Sequence, residues 1–246
     1  MVISSRPIQS NGFTFKRFFV AHDKSPMKIT TDSVLLAAWV PLNDDISRVL
    51  DIGTGCGVIA LMLAQRLAHL DCQIEAIEID PQAAEQCQEN NQRSPFRPIH
   101  VIQGDVIKYA DQQRHRYDLI ISNPPYFAAA VACRDTAREH ARYTTLLDHQ
   151  QLLTCATALL KERGSFCLVL PWHGLTDFMA KAKQLGWFAK AMTEVKYNEN
   201  KSFSLVLLCL VRYACDTAEN QLCMRHKNHD YTDEFAALLQ DFYLRF

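Results

Sequence analysis

From Arg48 onward, short apolar runs alternate with stretches whose apolar residues recur at helical spacing. A chain patterned this way folds into a parallel sheet with helices laid on its faces. Strands are predicted over residues 48–52 (RVLDI), 74–79 (IEAIEI), 99–103, 117–122 (YDLIIS) and 165–170 (SFCLVL), and two more near 190–196 and 202–212. Helices are predicted over 58–70, 81–91, 148–160 and 175–185. Pro81 suits a first helical turn, and Gly164 and Gly186 stand where helix ends favour glycine. The expected fold class is therefore α/β, a mostly parallel seven-stranded sheet.

The two ends depart from this pattern. Residues 13–20 (FTFKRFFV) are aromatic and basic and are predicted to form an extended hairpin ahead of a helix at 32–40, while 231–246 reads as an amphipathic helix. We expect one domain over 1–246, made of an N-terminal extension (1–40), a core (46–215) and a C-terminal extension (216–246). Large apolar side chains are usually core, so the terminal aromatics are expected to pack on the sheet.

Hydrophobic residues at 48% and charged residues at 22% exclude a disordered or fibrous chain. No apolar run approaches the roughly 18 residues of a membrane span, and MVISSRPIQS has no apolar signal core. Nine cysteines without a C-x-x-C pair, in a chain lacking a secretion signal, read as reduced thiols, so a cytoplasmic location is expected. The net charge of −1 gives no global attraction to nucleic acid, and any phosphate binding rests on local clusters such as Lys16 with Arg17, or Arg134 with Arg138 and Arg142.

The motif DIGTGCG (51–57) follows the first core strand and opens a helix. Gly53, Gly55 and Gly57 let the backbone turn tightly and approach a ligand, beside the N–H groups of a helix start. A dinucleotide fingerprint would need glycine where this chain has Val58. Glu78 lies 21 residues beyond Gly57, at a strand end where it can accept from a ribose diol, with Asp80 close by to share that role. Asp105 follows the third strand, where meeting an adenine amino group and capping the next helix are equally good readings.

The fourth strand runs into NPPY: Asn123, Pro124, Pro125 and Tyr126. Each proline restrains the residue before it to extended geometry and brings no N–H, so the turn offers acceptors without competing donors. The simpler reading, that the prolines only end the strand, has about equal weight on this segment alone.

Together DIGTGCG, Glu78, Asp105 and NPPY resemble a class I S-adenosylmethionine-dependent methyltransferase of the amino-methylating group. The segments NGFTFKRFFVAHD, MKITTDSVLLAAW, ARYTTLLDHQQLLTCA and FYLRF extend that resemblance over essentially the whole chain, to the tRNA adenine-N6 methyltransferases that modify valine tRNA next to the anticodon. The resemblance implies a Rossmann-like sheet and S-adenosylmethionine as cofactor, held by Asp51, Gly53, Gly55, Gly57, Glu78, Asp80, Asp105 and Asn123. It further implies that 123–126 hold the substrate base, and that Lys16, Arg17, Lys28, Phe127, Arg138 and Arg142 face RNA. Thr30 and Ser33 stand where this family commonly has glycine. A monomer or weak dimer, with neither metal nor membrane as partner, is expected. The spacing of Cys223, His226 and His229 matches no standard zinc module.

Two other functions suit the same residues. A protein glutamine methyltransferase would use NPPY on a planar amide, and a noncatalytic RNA-binding or cofactor-sensing protein would keep only the fold. The intact Asn123 and Tyr126 weigh against the latter, and the aromatic-basic segment 13–19 favours nucleic acid over protein.

Overall fold

The computed structural model describes residues 11–124 and 147–245. In chain order these form β1 (Gly12–Thr14), β2 (Phe19–Ala21), α1 (Thr31–Trp39), β3 (Arg48–Ile52), α2 (Val58–Arg66), β4 (Gln73–Glu78), α3 (Pro81–Gln92), β5 (His100–Gln103), α4 (Val106–Gln112) and β6 (Tyr117–Ser122). After the gap come α5 (His149–Leu159), β7 (Leu160–Pro171), α6 (Leu175–Gln184), β8 (Phe188–Asn198), β9 (Phe203–Val211), β10 (Ala218–Arg225) and α7 (Asp233–Leu239).

Among the described residues the main sheet has eight strands in the order β10-β8-β9-β7-β6-β3-β4-β5. All run the same way except β9, which pairs antiparallel with both neighbours. The eighth strand, β10, corrects the expected count of seven. It lies in the 216–246 segment and pairs parallel with β8 along the sheet edge. Its sequence AENQLCMR lacks an apolar run because an edge strand needs only part of one face covered.

Alternation along the central strands builds two cores. Val49, Leu119, Ile121, Cys167 and Leu207 face one layer, which holds α1 and α2 through Leu35, Leu36 and Leu61. Leu50, Ile120, Phe166 and Leu208 face the other, against Leu152 of α5, Phe178 of α6 and Trp187. Successive strand side chains point to opposite faces, so a strand buried on both sides reads as a continuous apolar run.

Some boundaries moved. β7 starts at Leu160, immediately after α5, so Gly164 belongs to a strand rather than a helix end. The β6–β7 register shifts here, and a Cβ on Gly164 would meet the Leu160 side chain at 2.8 Å and the Tyr117 carbonyl at 2.9 Å. The short helix α4 appears where none was predicted. The C-terminal helix spans Asp233–Leu239 rather than the whole of 231–246.

The terminal segments pack against each other and the core. Phe15 and Phe18 are buried and stacked, Phe13 lies against Tyr243, and the Lys16 N–H donates to the Phe242 carbonyl. From β2 the chain runs along α3, where two buried amides hold it. The Gln86 carbonyl accepts from the N–H groups of Lys24 and Ser25. Asn90, 1% exposed, accepts from Ala21 N–H at 2.9 Å and donates to the carbonyls of Ala21 and Cys56, both at 2.8 Å. This one amide joins the N-terminal strap to the DIGTGCG loop. Replacing it with alanine strands buried backbone groups, each worth about 1–3 kcal/mol. We expect Asn90→Ala to lower unfolding stability by at least about 2 kcal/mol in denaturant titration, and a value under about 1 kcal/mol would show that water replaces the amide.

Candidate active site

The chain leaves β3 toward β4 and β5 on one side and returns to β6 and β7 on the other, which makes the β3–β6 pair the switch point of the sheet. Ligands bind outside the carboxyl ends of the strands at such a point. A cavity of about 230 Å³ lies there, walled by the DIGTGCG loop, the ends of β4, β5 and β6, and the strap 25–30.

Glu78 ends β4 with its side chain 8% exposed. One carboxylate oxygen accepts from Gly55 N–H and the other from Asp80 N–H, both at 2.9 Å. Burial raises its pKa, and those N–H groups oppose the rise. An ionised carboxylate has about four lone-pair positions, so further donors can be accepted from the cavity. Asp80 caps α3 by accepting from Ala83 N–H at 2.8 Å, and Asp105 caps α4 by accepting from Ile107 N–H at 2.9 Å. Both also line the cavity, so capping and a ligand-facing position coexist.

Not every glycine-loop residue expected at the cofactor reaches the cavity wall. Gly53 and Gly55 do, whereas Asp51 and Gly57 lie behind the loop. Gly57 has φ +87°, and a Cβ there would meet Cys87 Sγ at 2.6 Å, so its glycine serves the close approach of α3. Asp51 is fully buried and accepts from the Thr54 hydroxyl at 2.6 Å, bracing the loop from below. The Cys56 and Cys87 thiols are buried and pushed upward by desolvation, Cys56 to about 12, which leaves them protonated and unsuited to nucleophilic chemistry.

Asn123 stands at the end of β6 on the cavity wall. Its amide nitrogen donates to Ser33 Oγ at 2.8 Å, and among the described residues no hydrogen bond reaches its Oδ1. The neighbouring Ser122 hydroxyl donates to the Ile52 carbonyl at 2.8 Å, tying β6 to β3 beneath it. Pro124 is buried. Pro125, Tyr126, Phe127, Arg138 and Arg142 lie outside the described residues. Of the expected RNA-facing cations, Lys28 lines the cavity, Lys16 Nζ donates to the Gln240 carbonyl, and the Arg17 guanidinium lies 5.0 Å from the Phe96 ring centre. Cys223 bonds to the Arg225 carbonyl and His226 faces Glu199. Among the described residues no three His, Cys, Asp or Glu side chains gather to hold a metal, and no helix is long and apolar enough to cross a membrane.

The sequence matches the family described as Methyltransferase small domain over residues 25–197. It is 47% identical over 241 residues to the tRNA1(Val) (adenine(37)-N6)-methyltransferase of Yersinia enterocolitica serotype O:8 / biotype 1B, covering 97% of this chain and 95% of that one. The chain belongs to the tRNA1(Val) (adenine(37)-N6)-methyltransferase family. The Yersinia pestis (strain Pestoides F) member is 47% identical over 240 residues, covering 97% of this chain and 96% of its own. A predicted O-methyltransferase of Agrobacterium tumefaciens shares the fold at 18% identity, with a TM-score of 0.65 over 86% of this chain and 96% of that one.

The residues present fit S-adenosylmethionine, the cofactor of this methyltransferase family. A Cβ built on Gly53 or Gly104 meets nothing within 4 Å, so two stretches of bare backbone face the cavity. Glu78, Asp80 and Asp105 supply acceptors around it, and Ile79 and Val106 add apolar surface.

What the sequence reading missed is Ser33. Its difference from the family pattern was visible, but its bond to Asn123, 90 residues away, was not.

Burial pushes the Asp51 carboxyl up to about 7, against the opposing Thr54 hydroxyl and Ala60 N–H. A carboxyl with a folded pKa above its unfolded 3.8 binds extra protons in the folded state between the two values, so stability falls as pH rises through that window. Measured as the difference in unfolding free energy between the protein and Asp51→Asn, this contribution is expected to drop by about 1 kcal/mol from pH 6 to pH 8. Parallel curves for the two proteins would show that Asp51 stays ionised when buried.

Proposed function

We propose that this chain transfers the methyl group of S-adenosylmethionine to the N6 amino group of adenosine 37 in tRNA1(Val), with Asn123 Oδ1 and the Pro124 carbonyl holding that amino group. The observation that carries this reading is Asn123 at the switch-point cavity, its amide nitrogen engaged by Ser33 and its oxygen, among the described residues, without a hydrogen-bond donor.

When bound, S-adenosylmethionine supplies an electrophilic methyl group on a sulfonium sulfur. The protein's task is to make a poor nucleophile competent, because the adenine amino lone pair is delocalised into the ring. Two acceptors, each taking one N–H, favour a more tetrahedral nitrogen and stabilise the positive charge that develops on it. Glu78 is assigned to the ribose diol and Asp105 to the adenine amino group of the cofactor, to whose ring the cavity-lining Ile79 and Val106 would offer apolar surface. These contacts fix the cofactor relative to Asn123, so alignment supplies much of the rate without a metal or a strong base.

The target base must leave its stack, and in an anticodon loop it is already single-stranded. Tyr126 is assigned to stack on it, with Phe127 beside it. Lys28, Arg138 and Arg142 are assigned to the neighbouring phosphates, which makes substrate binding salt-sensitive. Lys16 and Arg17 are already engaged within the fold and contribute less.

The test is incubation with methyl-labelled cofactor and unmodified tRNA1(Val), duplex DNA or a cell protein extract, followed by digestion of the labelled product. N6-methyladenosine at position 37 of the tRNA alone is the expected result, and label in protein would overturn it in favour of glutamine methylation. Asn123→Ala should lower kcat by about 10²–10³-fold at saturating cofactor. An Asn123→Ala protein with full activity would remove the amine-holding role.

A further inference from the structure

Ser33 occupies the third position of α1, is 8% exposed and lies at the cavity wall. Three interactions meet at it. Its N–H donates to Thr30 Oγ1 at 3.4 Å, its hydroxyl oxygen lies 3.2 Å from the same Thr30 oxygen, and that hydroxyl oxygen accepts from Asn123 Nδ2 at 2.8 Å. Thr30 is the helix N-cap, in extended geometry, so its side chain is set by the start of α1.

We propose that Ser33 is a positioning residue for methyl transfer, orienting the Asn123 carboxamide so that its oxygen rather than its nitrogen faces the substrate amine. This rests on the reading that Asn123 holds the amine. The two ends of a carboxamide are nearly the same size, so shape alone cannot choose between them. A flipped Asn123 would aim two donors at the substrate's own N–H groups and remove the acceptor.

The choice is made by where the single Ser33 hydroxyl proton goes. The 3.2 Å contact between the two hydroxyls allows either to donate; in the proposed arrangement Ser33 donates to Thr30 Oγ1, which leaves only lone pairs on the Asn123 side of the serine oxygen. Asn123 Nδ2 satisfies those lone pairs, whereas a flipped Oδ1 would oppose them. The relay Asn123 to Ser33 to Thr30 thus ends on a helix cap, a rigid point of the fold. It also connects α1, in the segment covering the cavity, to the end of β6.

The experiment measures kcat at saturating cofactor and tRNA1(Val), the cofactor Kd by calorimetry and the Tm, for Ser33→Ala, Ser33→Thr, Asn123→Ala and the Ser33→Ala/Asn123→Ala pair. Ser33→Ala is expected to lower kcat about tenfold, the rate equivalent of one hydrogen bond, with Kd changed by less than about twofold. Ser33→Thr, which keeps the hydroxyl, should recover most of the loss, and Ser33→Ala should add nothing once Asn123 is alanine.

Unchanged kcat in Ser33→Ala, beside a clear loss in Asn123→Ala, would overturn the positioning role alone. Equal losses in the alanine and threonine variants would do the same, as would a fall in kcat matched by falls in Tm and cofactor affinity. Full activity in Asn123→Ala would instead overturn the function reading beneath it.

Discussion

Strands β3 and β6 lie side by side, yet the connections that leave them cross to opposite halves of the sheet. The crossover through α2 carries β3 to β4, away from β6, and such a divergence leaves a crevice above the carboxyl ends of the strands. Each component of the site is anchored to this geometry. The glycine loop leaves β3, Glu78 ends β4, Asp105 follows β5 and Asn123 ends β6. Ser122 holds the two central strands in register directly below, through its bond to the Ile52 carbonyl.

The crevice is closed by a segment with little secondary structure of its own. Residues 22–30 are held by side chains of α3, with Gln86 gripping the backbone at 24–25 and Asn90 gripping Ala21. Asn90 also reaches the Cys56 carbonyl, so strap and glycine loop share one buried amide. Such groups are costly to leave unpaired, which makes the arrangement stiff once formed. Cavity shape and chain order are therefore coupled through α3, a helix that itself begins with Asp80 on the cavity wall.

Most of the sheet was legible because strands buried on both faces must be apolar throughout, as LIIS and FSLVLLCLV are. The site's backbone was legible for a related reason, since few residue types other than glycine tolerate the loop's left-handed turns. Strand β10 escaped because its polar sequence reflects the exposed edge it occupies, and α4 because seven residues give too little periodicity to recognise. The resemblance implies Asp51 and Gly57 at the cofactor, and the structure sets both behind the loop that lines the cavity, because sequence shows that a loop approaches something but not which of its residues face it. The Ser33 bond to Asn123 was beyond reach for a different reason. Its partners are brought together only by the packing of α1 over the sheet, and no local pattern encodes a contact made across that distance.

The electrostatics of the site tie these pieces to its ligand. Asp51 and Glu78 are both buried, both raised by desolvation, and the charge of Glu78 adds to the rise at Asp51. Water has been removed from around two carboxyls in a protein with a net charge of only −1. The N–H groups of Gly55, Asp80 and Ala60 and the Thr54 hydroxyl offset part of that cost. A sulfonium and an ammonium group entering the adjoining cavity would offset more, because opposite charge favours ionised carboxyls and acts strongly where the dielectric is low. In the proposed reading, the buried Glu78 carboxylate on the cavity wall would interact more favourably with a cationic cofactor than with a neutral nucleoside.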